Sequence, residues 1–193
     1  LWLCLSSLQE ACSSISYEII IVDNDPQDQC KAYVGNEFTH IHWILNTENL
    51  GFAKANNQGV AMARGKYVLI LNPDTVVSET NLQNVLNYAR EKENFGAIGA
   101  RMIDGTGKFL PESKRNIPTP LVAFHKIFGK DKSYYAHHLQ ESQIAEVEVL
   151  PGAFMLLKKS IYEEAGGFDE DYFMFGEDID LCYRLRQRGY KNY

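Results

Sequence analysis

Residues 17–24 read YEIIIVDN, and this short stretch decides the fold class. A continuous run of β-branched residues is typical of a strand buried in a parallel sheet, where both faces are covered. The run ends in Asp23, which is followed by the loop-forming sequence NDP. The stretch therefore predicts a buried strand over residues 17–22 with a carboxylate at its carboxyl end.

The same pattern of an apolar strand followed by a polar loop recurs further along the chain. Ile41–Leu45 is followed by NTEN, and Tyr67–Leu71 is followed by NPDT. Residues 51–64, between these strands, predict a helix rich in small residues, which can lie close to a sheet. This alternation predicts an α/β fold with a mostly parallel central sheet flanked by helices.

Apolar periodicity and capping residues predict the other elements of the chain. The sequence begins with an amphipathic helix. It starts with Leu rather than Met and stops at Tyr193, where an extended segment begins, so we expect both ends to be cuts. The further predicted elements are a helix over residues 78–92 capped by Ser78, strands over 97–102 and 147–157, and helices over 160–165 and 176–188.

Composition and charge exclude several classes of function. The 193 residues suffice for one domain with a real core. A net charge of −6 is unlike a general nucleic-acid binder, although Lys108, Lys114 and Arg115 form a cluster suited either to an anionic ligand or to a solvated loop. The four cysteines form no CxxC pair, which indicates a reduced, cytoplasmic protein. No apolar run approaches the roughly 20 residues that span a bilayer.

Polar groups follow three predicted strands, at Asp23, residues 46–51 and Asp74. Ligands of parallel sheets bind outside the carboxyl ends of the strands, so we expect these groups to share one edge. Asp74 is a hard oxygen ligand suited to Mg²⁺ or Mn²⁺, which can hold a diphosphate. The alternative is that Asp74 only forms a turn by accepting hydrogen bonds from nearby backbone N–H groups.

Residues 49–57, NLGFAKANN, join a strand to the small-residue helix. The helix N-terminus at Asn49 and Gly51 is expected to offer free N–H groups and a positive dipole end to an anion. Lys54 can balance phosphate charge, and Asn56 can bond the edge of a nucleotide. The alternative is an ordinary capped helix with polar surface residues.

Residues 166–180, GGFDEDYFMFGEDID, interleave acidic and aromatic side chains. Asp178 lies at helical spacing from an apolar stripe and therefore points inward at the helix start, where it can accept a proton from a hydroxyl group. Glu177 and Asp180 are interpreted as complements of the helix dipole. Asp178 is thus the candidate catalytic base.

The ordered set of these motifs resembles the family-2 glycosyltransferases with the GT-A fold, especially their bacterial rhamnosyltransferase-like branch. The matching segments are residues 17–24 (YEIIIVDN), 46–59 (NTENLGFAKANNQG), 65–75 (GKYVLILNPDT), 150–160 (LPGAFMLLKKS) and 166–190 (GGFDEDYFMFGEDIDLCYRLRQRGY). The resemblance implies one GT-A domain over residues 1–193, with a nucleotide-binding half at 1–103 and an acceptor and catalytic half at 104–193.

The resemblance also implies roles for individual residues. Asp23 contacts the nucleotide base, Asp74 binds Mg²⁺ or Mn²⁺ in the DxD element, and Asp178 is the base. The segment around Gly152 lines the donor-sugar and acceptor side. The expected donor-binding residues are Asp23, Asn49, Gly51, Lys54, Asn56, Asn72 and Gly152.

The mechanism that the resemblance implies is inverting transfer from dTDP-rhamnose or a UDP-sugar to a glycan or lipid-linked acceptor, with peripheral membrane association as an option.

The chain departs from the family pattern in three respects. The DxD element reads NPD, the opening strand of the family lies before Leu1, and a histidine often found after the Glu-Asp helix lies beyond Tyr193. A strand missing from the sheet would expose strand edges.

Other functions fit parts of the pattern. A catalytically degenerate protein could bind a nucleotide or glycan without turnover. A sugar-nucleotide pyrophosphorylase shares the α/β plan and a metal-diphosphate site, but it does not account for the GEDIDLCYR helix. A flavodoxin-like or receiver domain would explain the acids at the strand ends but not the aromatic second half.

Overall fold

A computed structural model describes residues 1–27, 29–34, 37–38, 41–117, 135–136 and 139–193. The helices are Trp2–Ala11 (α1), Gln29–Val34 (α2), Gly51–Met62 (α3), Glu79–Glu91 (α4), Lys159–Ala165 (α5) and Glu177–Gln187 (α6). The strands are Ile19–Asp23 (β1), Ile41–Leu45 (β2), Tyr67–Leu71 (β3), Ala97–Ile98 (β4) and Phe154–Lys158 (β5).

The strands pair in both directions. β1 and β2 are parallel, with Ile19 opposite Ile41 and Asp23 opposite Leu45. β5 lies between β3 and β4 and is antiparallel to both. The prediction of an α/β fold with parallel pairing is confirmed, but the described strands contain more antiparallel pairing than the sequence predicted, because β5 returns along the sheet in the opposite direction.

The described ladders form two sheets, β1–β2 and β3–β5–β4. β1 was predicted to be buried, yet its residues are half-buried except for the buried Asp23. α3 covers one face of β1, and a Cβ built on Gly59 would lie 3.4 Å from Val22 Cγ2. The small residue thus allows the close helix–strand approach that the sequence predicted.

β5 divides the apolar interior into two clusters. Met155 and Leu157 pack into a cluster that includes residues of α3, α5 and α6. Phe154 and Leu156 face the opposite side and pack with residues of α1 and α4. Successive side chains of a strand point to opposite faces, and both faces of β5 are covered, so all four residues are buried. β5 is also the central strand of its sheet.

Several elements differ from their predicted bounds. β4 covers only Ala97–Ile98 of the strand predicted over 97–102. Only Phe154–Lys158 of the bent strand at 147–157 is regular, while Val147 and Val149 form isolated bridges to Asn192 and Arg115. α2 was not predicted at all. Ser78 precedes α4 as predicted, but its side chain makes no capping hydrogen bond.

Within the described ranges, no helix combines the length and the apolar character needed to cross a membrane.

Candidate active site

The ends of β1 and β2 lie side by side, as the sequence predicted. The Asn46 N–H donates to the Asp23 carbonyl at 2.9 Å. The Asn46 side chain donates to Asn24 Oδ1 at 2.8 Å, and Asn24 Nδ2 donates to the Gly51 carbonyl at 3.2 Å. These contacts join the loop after β1, the loop after β2 and the start of α3 into one hydrogen-bonded unit.

The Asp23 carboxylate is buried at 7% exposure, with one oxygen unused. Oδ1 accepts from the Asp25 N–H at 2.9 Å, whereas Oδ2 has no hydrogen-bond partner in the described structure. Burial, followed by the charge of Asp23, raises the pKa of the neighbouring Cys30 thiol, which can serve only as a weak donor. A buried acceptor without a partner costs about 1–3 kcal/mol, so Oδ2 is suited to an N–H or O–H group of a ligand.

Two of the N–H groups at the start of α3, which the sequence predicted to be free, have partners within the protein. The Gly51 N–H donates to Asn49 Oδ1 at 2.9 Å, and the Phe52 N–H donates to the Phe173 carbonyl at 2.9 Å. Both groups are therefore occupied within the protein, the first by a local side chain and the second by the loop of residues 172–175 before α6. Donor contacts of Asn49 and Gly51 stay predictions.

The other two α3 residues predicted to bind the donor differ in their surroundings. Lys54 is exposed on the helix surface. Asn56 Nδ2 donates to the Phe52 carbonyl of its own helix at 2.9 Å, which leaves its carbonyl oxygen and its second N–H for a nucleotide. The roles of both residues also stay predictions.

Asn57, the neighbour of Asn56, has a structural role that the sequence did not reveal. Its Nδ2 donates to the Phe168 carbonyl at 2.9 Å, and its Oδ1 accepts from Tyr162 Oη at 2.5 Å and from the Phe168 N–H at 3.0 Å. This one side chain anchors the segment after α5 to α3. No local signal distinguishes it from Asn56, since its partners are distant in sequence.

Asp74 follows β3 and is exposed. The turn is closed by backbone, with the Thr75 N–H donating to the Asn72 carbonyl at 3.1 Å. Within the described residues the Asp74 carboxylate makes no hydrogen bond or ion pair, so the turn-forming alternative lacks support. The Asn72 N–H donates to the Ala153 carbonyl at 3.1 Å, which places this turn beside the segment containing Gly152.

Whether a divalent cation can bind at Asp74 depends on which ligand groups the surrounding residues supply. No group of three or more His, Cys, Asp or Glu side chains that could hold a metal occurs in the described ranges. Mg²⁺ is commonly held by one or two carboxylates, with waters and substrate phosphates completing its shell. A single unengaged carboxylate at a strand end fits a cation that arrives with a diphosphate, and it does not fit a cation held by protein ligands alone.

Asp178 lies at the head of α6, one turn before the buried residues Leu181 and Cys182, and its side chain is only 13% exposed. Oδ2 accepts from an Arg115 Nη at 2.5 Å and from the Gly152 N–H at 3.3 Å. Oδ1 accepts from the Ile179 N–H at 2.8 Å. The inward orientation predicted from the apolar stripe is present, and the carboxylate has a defined position.

Gly152 lies between Asp178 and the aromatic ring of Phe52. A Cβ built on Gly152 would be 3.0 Å from Phe52 Cζ and 3.9 Å from Asp178 Cβ. A larger residue would therefore displace the Phe52 ring. These distances place Gly152 beside the candidate base, and its predicted position on the donor-sugar and acceptor side stays a prediction.

Lys114 and Arg115, two members of the basic cluster predicted from the sequence, have different partners. Lys114 Nζ donates to the Gln140 carbonyl, whereas Arg115 turns toward Asp178. Sequence reasoning missed the Arg115–Asp178 pair, since the two residues belong to distant segments.

The acids beside Asp178 differ from one another. Asp180 pairs with Arg184 at 2.6 Å on the surface of α6, in agreement with a structural role. Glu177 is buried at 6% exposure, its Oε2 has no partner in the described structure, and burial raises its pKa. The interpretation of Glu177 as a simple complement of the helix dipole is therefore incomplete.

An exposed aromatic loop, residues 172–175, precedes these acids. The exposed fractions are 39% for Tyr172, 56% for Phe173, 52% for Met174 and 83% for Phe175. Phe175 has a φ of 69°, in the left-handed region that bulky residues rarely adopt. Strained backbone of this kind is concentrated at functional sites.

The profile of the family described as "Glycosyl transferase family 2" matches residues 1–166, so Asp178 lies outside the matched part. The rhamnosyltransferase WbbL of Escherichia coli K12 is 29% identical over 187 residues, covering 90% of this chain and 67% of that protein. The N-acetylglucosaminyl-diphospho-decaprenol L-rhamnosyltransferase of Mycobacterium tuberculosis H37Rv is 26% identical over 191 residues, covering 89% of this chain and 62% of that protein.

Another relative is the low-salt glycan biosynthesis hexosyltransferase Agl10 of Haloferax volcanii. It is 25% identical over 174 residues, covering 88% of this chain and 53% of that protein. The chain thus spans between about half and two thirds of the length of these relatives.

Two solved structures have the same fold. The mannosyltransferase PcManGT of Pyrobaculum calidifontis, in complex with GDP-Man and Mn²⁺, has a TM-score of 0.61 at 18% identity, covering 98% of this chain and 50% of that one. GalNAc-T7 with UDP, GalNAc and Mn²⁺ has a TM-score of 0.61 at 14% identity, covering 91% of this chain and 35% of that one. The GT-A fold is thereby confirmed, and the chain belongs to the family-2 glycosyltransferases, with rhamnosyltransferases among its relatives.

Proposed function

We propose that this chain catalyses inverting transfer of a sugar from a nucleoside-diphosphate donor to a hydroxyl group of a glycan or lipid-linked acceptor. The observation that carries the proposal is the Asp178 carboxylate, which is oriented by Arg115, Gly152 and Ile179 at the head of α6. A carboxylate with a fixed position beside a ligand-binding edge is suited to general base catalysis.

In the proposed reaction the acceptor hydroxyl gives its proton to an oxygen of Asp178. The hydroxyl oxygen forms a bond to the anomeric carbon on the face opposite the diphosphate. The bond between that carbon and the diphosphate oxygen breaks, and the nucleoside diphosphate leaves with the electron pair. A divalent cation, Mg²⁺ or Mn²⁺, held by Asp74 and the donor phosphates, would neutralise charge on this leaving group.

The donor is proposed to carry a pyrimidine nucleotide. Asp23 Oδ2 is a buried acceptor without a partner in the described structure, and it matches the ring N–H of thymine or uracil. The rhamnosyltransferase names of two relatives support dTDP-rhamnose as the first candidate. A UDP-sugar presents the same ring N–H and is the second candidate.

The acceptor is proposed to include an apolar carrier. The exposed aromatic loop leads directly into Glu177 and Asp178, so an apolar chain bound there would lie next to the reacting hydroxyl. The name of the mycobacterial relative specifies a decaprenol-linked acceptor, which supports a lipid-linked saccharide and peripheral membrane association for this chain too.

Thermal unfolding with nucleotides tests the donor half of the proposal. dTDP, UDP, GDP and ADP are each added with and without Mn²⁺. A ligand at about 100 times its dissociation constant raises the free energy of unfolding by roughly 2.7 kcal/mol. Stabilisation by one pyrimidine diphosphate that requires Mn²⁺ is the expected result, and no shift with any nucleotide in the native protein would overturn the proposal.

The stereochemistry of transfer tests the catalytic half. The matching nucleotide-sugar is incubated with N-acetylglucosaminyl-diphospho-decaprenol, and the anomeric configuration of the product is read by NMR. Inversion relative to the donor is expected. Retention would exclude the single displacement proposed for Asp178.

A second candidate function is nucleotide or glycan binding without turnover. It is favoured by one observation, namely that both oxygens of Asp178 already accept hydrogen bonds within the protein. Nucleotide-dependent stabilisation without sugar transfer to any acceptor would support this alternative.

A further inference from the structure

Arg115 and Asp178 form an ion pair in the interior of the candidate site. The guanidinium lies 2.5 Å from Asp178 Oδ2, and each of the two side chains is 13% exposed. The same nitrogen donates to the Leu150 carbonyl at 3.2 Å. A charge-assisted hydrogen bond that is shielded from water in this way has a strong orienting effect on the carboxylate.

Arg115 lies on a segment outside α6, and its backbone pairs with that of Val149. Its N–H donates to the Val149 carbonyl at 3.2 Å, and its carbonyl accepts from the Val149 N–H at 2.9 Å. Val149 is fully buried and Leu150 is 2% exposed, so the backbone that carries the guanidinium is held by the core. The guanidinium thus reaches Asp178 from a buried segment outside α6.

Gly152 and Ile179 complete the environment of the carboxylate. The Gly152 N–H shares Oδ2 with Arg115, and the Ile179 N–H donates to Oδ1. The two N–H groups each bind one carboxylate oxygen, and the guanidinium adds a third hydrogen bond from another part of the chain. Three points of attachment from separate segments define one orientation of a planar group.

We propose that Arg115 is a positioning residue, which holds the Asp178 carboxylate in the single orientation that accepts the proton of the acceptor hydroxyl. The inference rests on the proposed function of Asp178. Misplacement of a reacting group by about 1 Å can cost 100-fold in rate, so loss of the guanidinium should act on kcat rather than on donor binding.

A structural ion pair on the same helix provides the matched control. Arg186 pairs with Glu148 at 3.0 Å, and these side chains are 31% and 38% exposed. Removing either arginine deletes an ion pair between α6 and the segment near Val149. Of the two arginines, Arg115 contacts Asp178 and Arg186 contacts Glu148, so a purely structural role of Arg115 predicts similar behaviour of the two variants.

The test compares Arg115→Met, Arg115→Lys and Arg186→Met in the native protein, with dTDP-rhamnose or the UDP-sugar as donor and N-acetylglucosaminyl-diphospho-decaprenol as acceptor. Arg115→Met should lower kcat by about 100-fold and leave the KM for the donor within about threefold. Added methylguanidinium should restore part of kcat. Arg115→Lys should retain more activity than Arg115→Met, while Arg186→Met should keep the native kcat.

Amide NMR signals separate the inference from the proposed function. The Gly152 and Ile179 N–H groups contact the carboxylate, so both signals should shift in Arg115→Met, return toward native positions with methylguanidinium, and stay unshifted in Arg186→Met. Unshifted signals, or equal loss of kcat in the Arg115 and Arg186 variants, would overturn the positioning role. Absence of transfer by the native protein would overturn the proposed function, and the NMR signals would still decide whether Arg115 orients Asp178.

Discussion

The backbone N–H of Phe52 donates a 2.9 Å hydrogen bond to the carbonyl of Phe173, and this contact joins the start of α3 to the aromatic loop before α6. The neighbouring Gly51 has a φ of 82°, and a Cβ built on it would lie 2.3 Å from the Phe173 oxygen. The approach of the two segments thus requires a residue without a side chain at position 51.

Gly51→Ala should therefore destabilise the protein by about 2–3 kcal/mol, from a left-handed backbone cost of about 1–2 kcal/mol and a weakened hydrogen bond of about 1 kcal/mol. Urea unfolding measures the loss. Gly107→Ala is the matched control, because Gly107 has a φ of 87° but no atom within 4 Å of its built Cβ. Equal losses in both variants would show that the contact with Phe173 contributes nothing.

Asp74→Ala should abolish the Mn²⁺-dependent stabilisation by nucleotide and leave the free energy of unfolding of the unliganded protein unchanged. The carboxylate is exposed and makes no hydrogen bond within the described residues, so its removal breaks no internal contact. A 100-fold loss of affinity reduces the ligand-induced rise in the free energy of unfolding from about 2.7 kcal/mol to below about 0.5 kcal/mol. Glu91→Ala, which removes an exposed acid on α4, should retain the full effect.

Asp178→Asn should reduce the rate of transfer by about 10²–10⁴-fold, because an amide cannot accept the proton of the acceptor hydroxyl. Stabilisation by nucleotide with Mn²⁺ should persist. Asp180→Asn alters an acid of the same helix turn that pairs only with Arg184 in the described structure, and it should keep the native kcat. Native rates in Asp178→Asn would instead favour a different base.

Phe175→Asn should leave stability unchanged or raise it by up to about 1 kcal/mol, while weakening acceptor binding. The ring is 83% exposed and loses little packing, and asparagine tolerates the left-handed backbone better than phenylalanine. The KM for a decaprenol-linked acceptor should rise, while the KM for the donor stays constant. An unchanged acceptor KM would argue against contact between this loop and the carrier.

The stability of the protein should depend on pH through Glu177. Burial raises the pKa of Glu177 above its ordinary value of 4.5, which means that the folded state favours the protonated acid. The stabilising contribution of Glu177 is complete below pH 4.5 and is lost as the pH rises through the pKa of Glu177 in the folded state. Glu177→Gln removes this loss, so the variant should exceed the native protein in stability at pH 7.

Unfolding free energies measured between about pH 4 and pH 8 test this expectation. The native and Glu177→Gln curves should converge toward acid pH and diverge above it. Glu91→Gln, at an exposed position, should follow the native curve. Parallel native and Glu177→Gln curves across the whole range would contradict the assigned effect of burial.

Local pattern was sufficient for some elements and insufficient for others. The predicted strands Ile41–Leu45 and Tyr67–Leu71 agree with the structure residue for residue. The direction of β5 could not be read from its composition, because a buried strand looks the same in parallel and antiparallel pairing. Likewise, the helix start predicted free N–H groups at α3, but the distant residue Phe173 accepts from one of them and the local side chain of Asn49 from another.

The sequence by itself determined the α/β class, the family resemblance and the strand-end positions of Asp23 and Asp74, since these follow from short-range periodicity and motif order. Only the tertiary structure decided that Arg115 orients Asp178 and that Glu177 is buried. These features arise where segments far apart in the chain meet in a shared interior. Burial and ion pairing depend on all the groups that surround a side chain, and the local sequence specifies only a few of them.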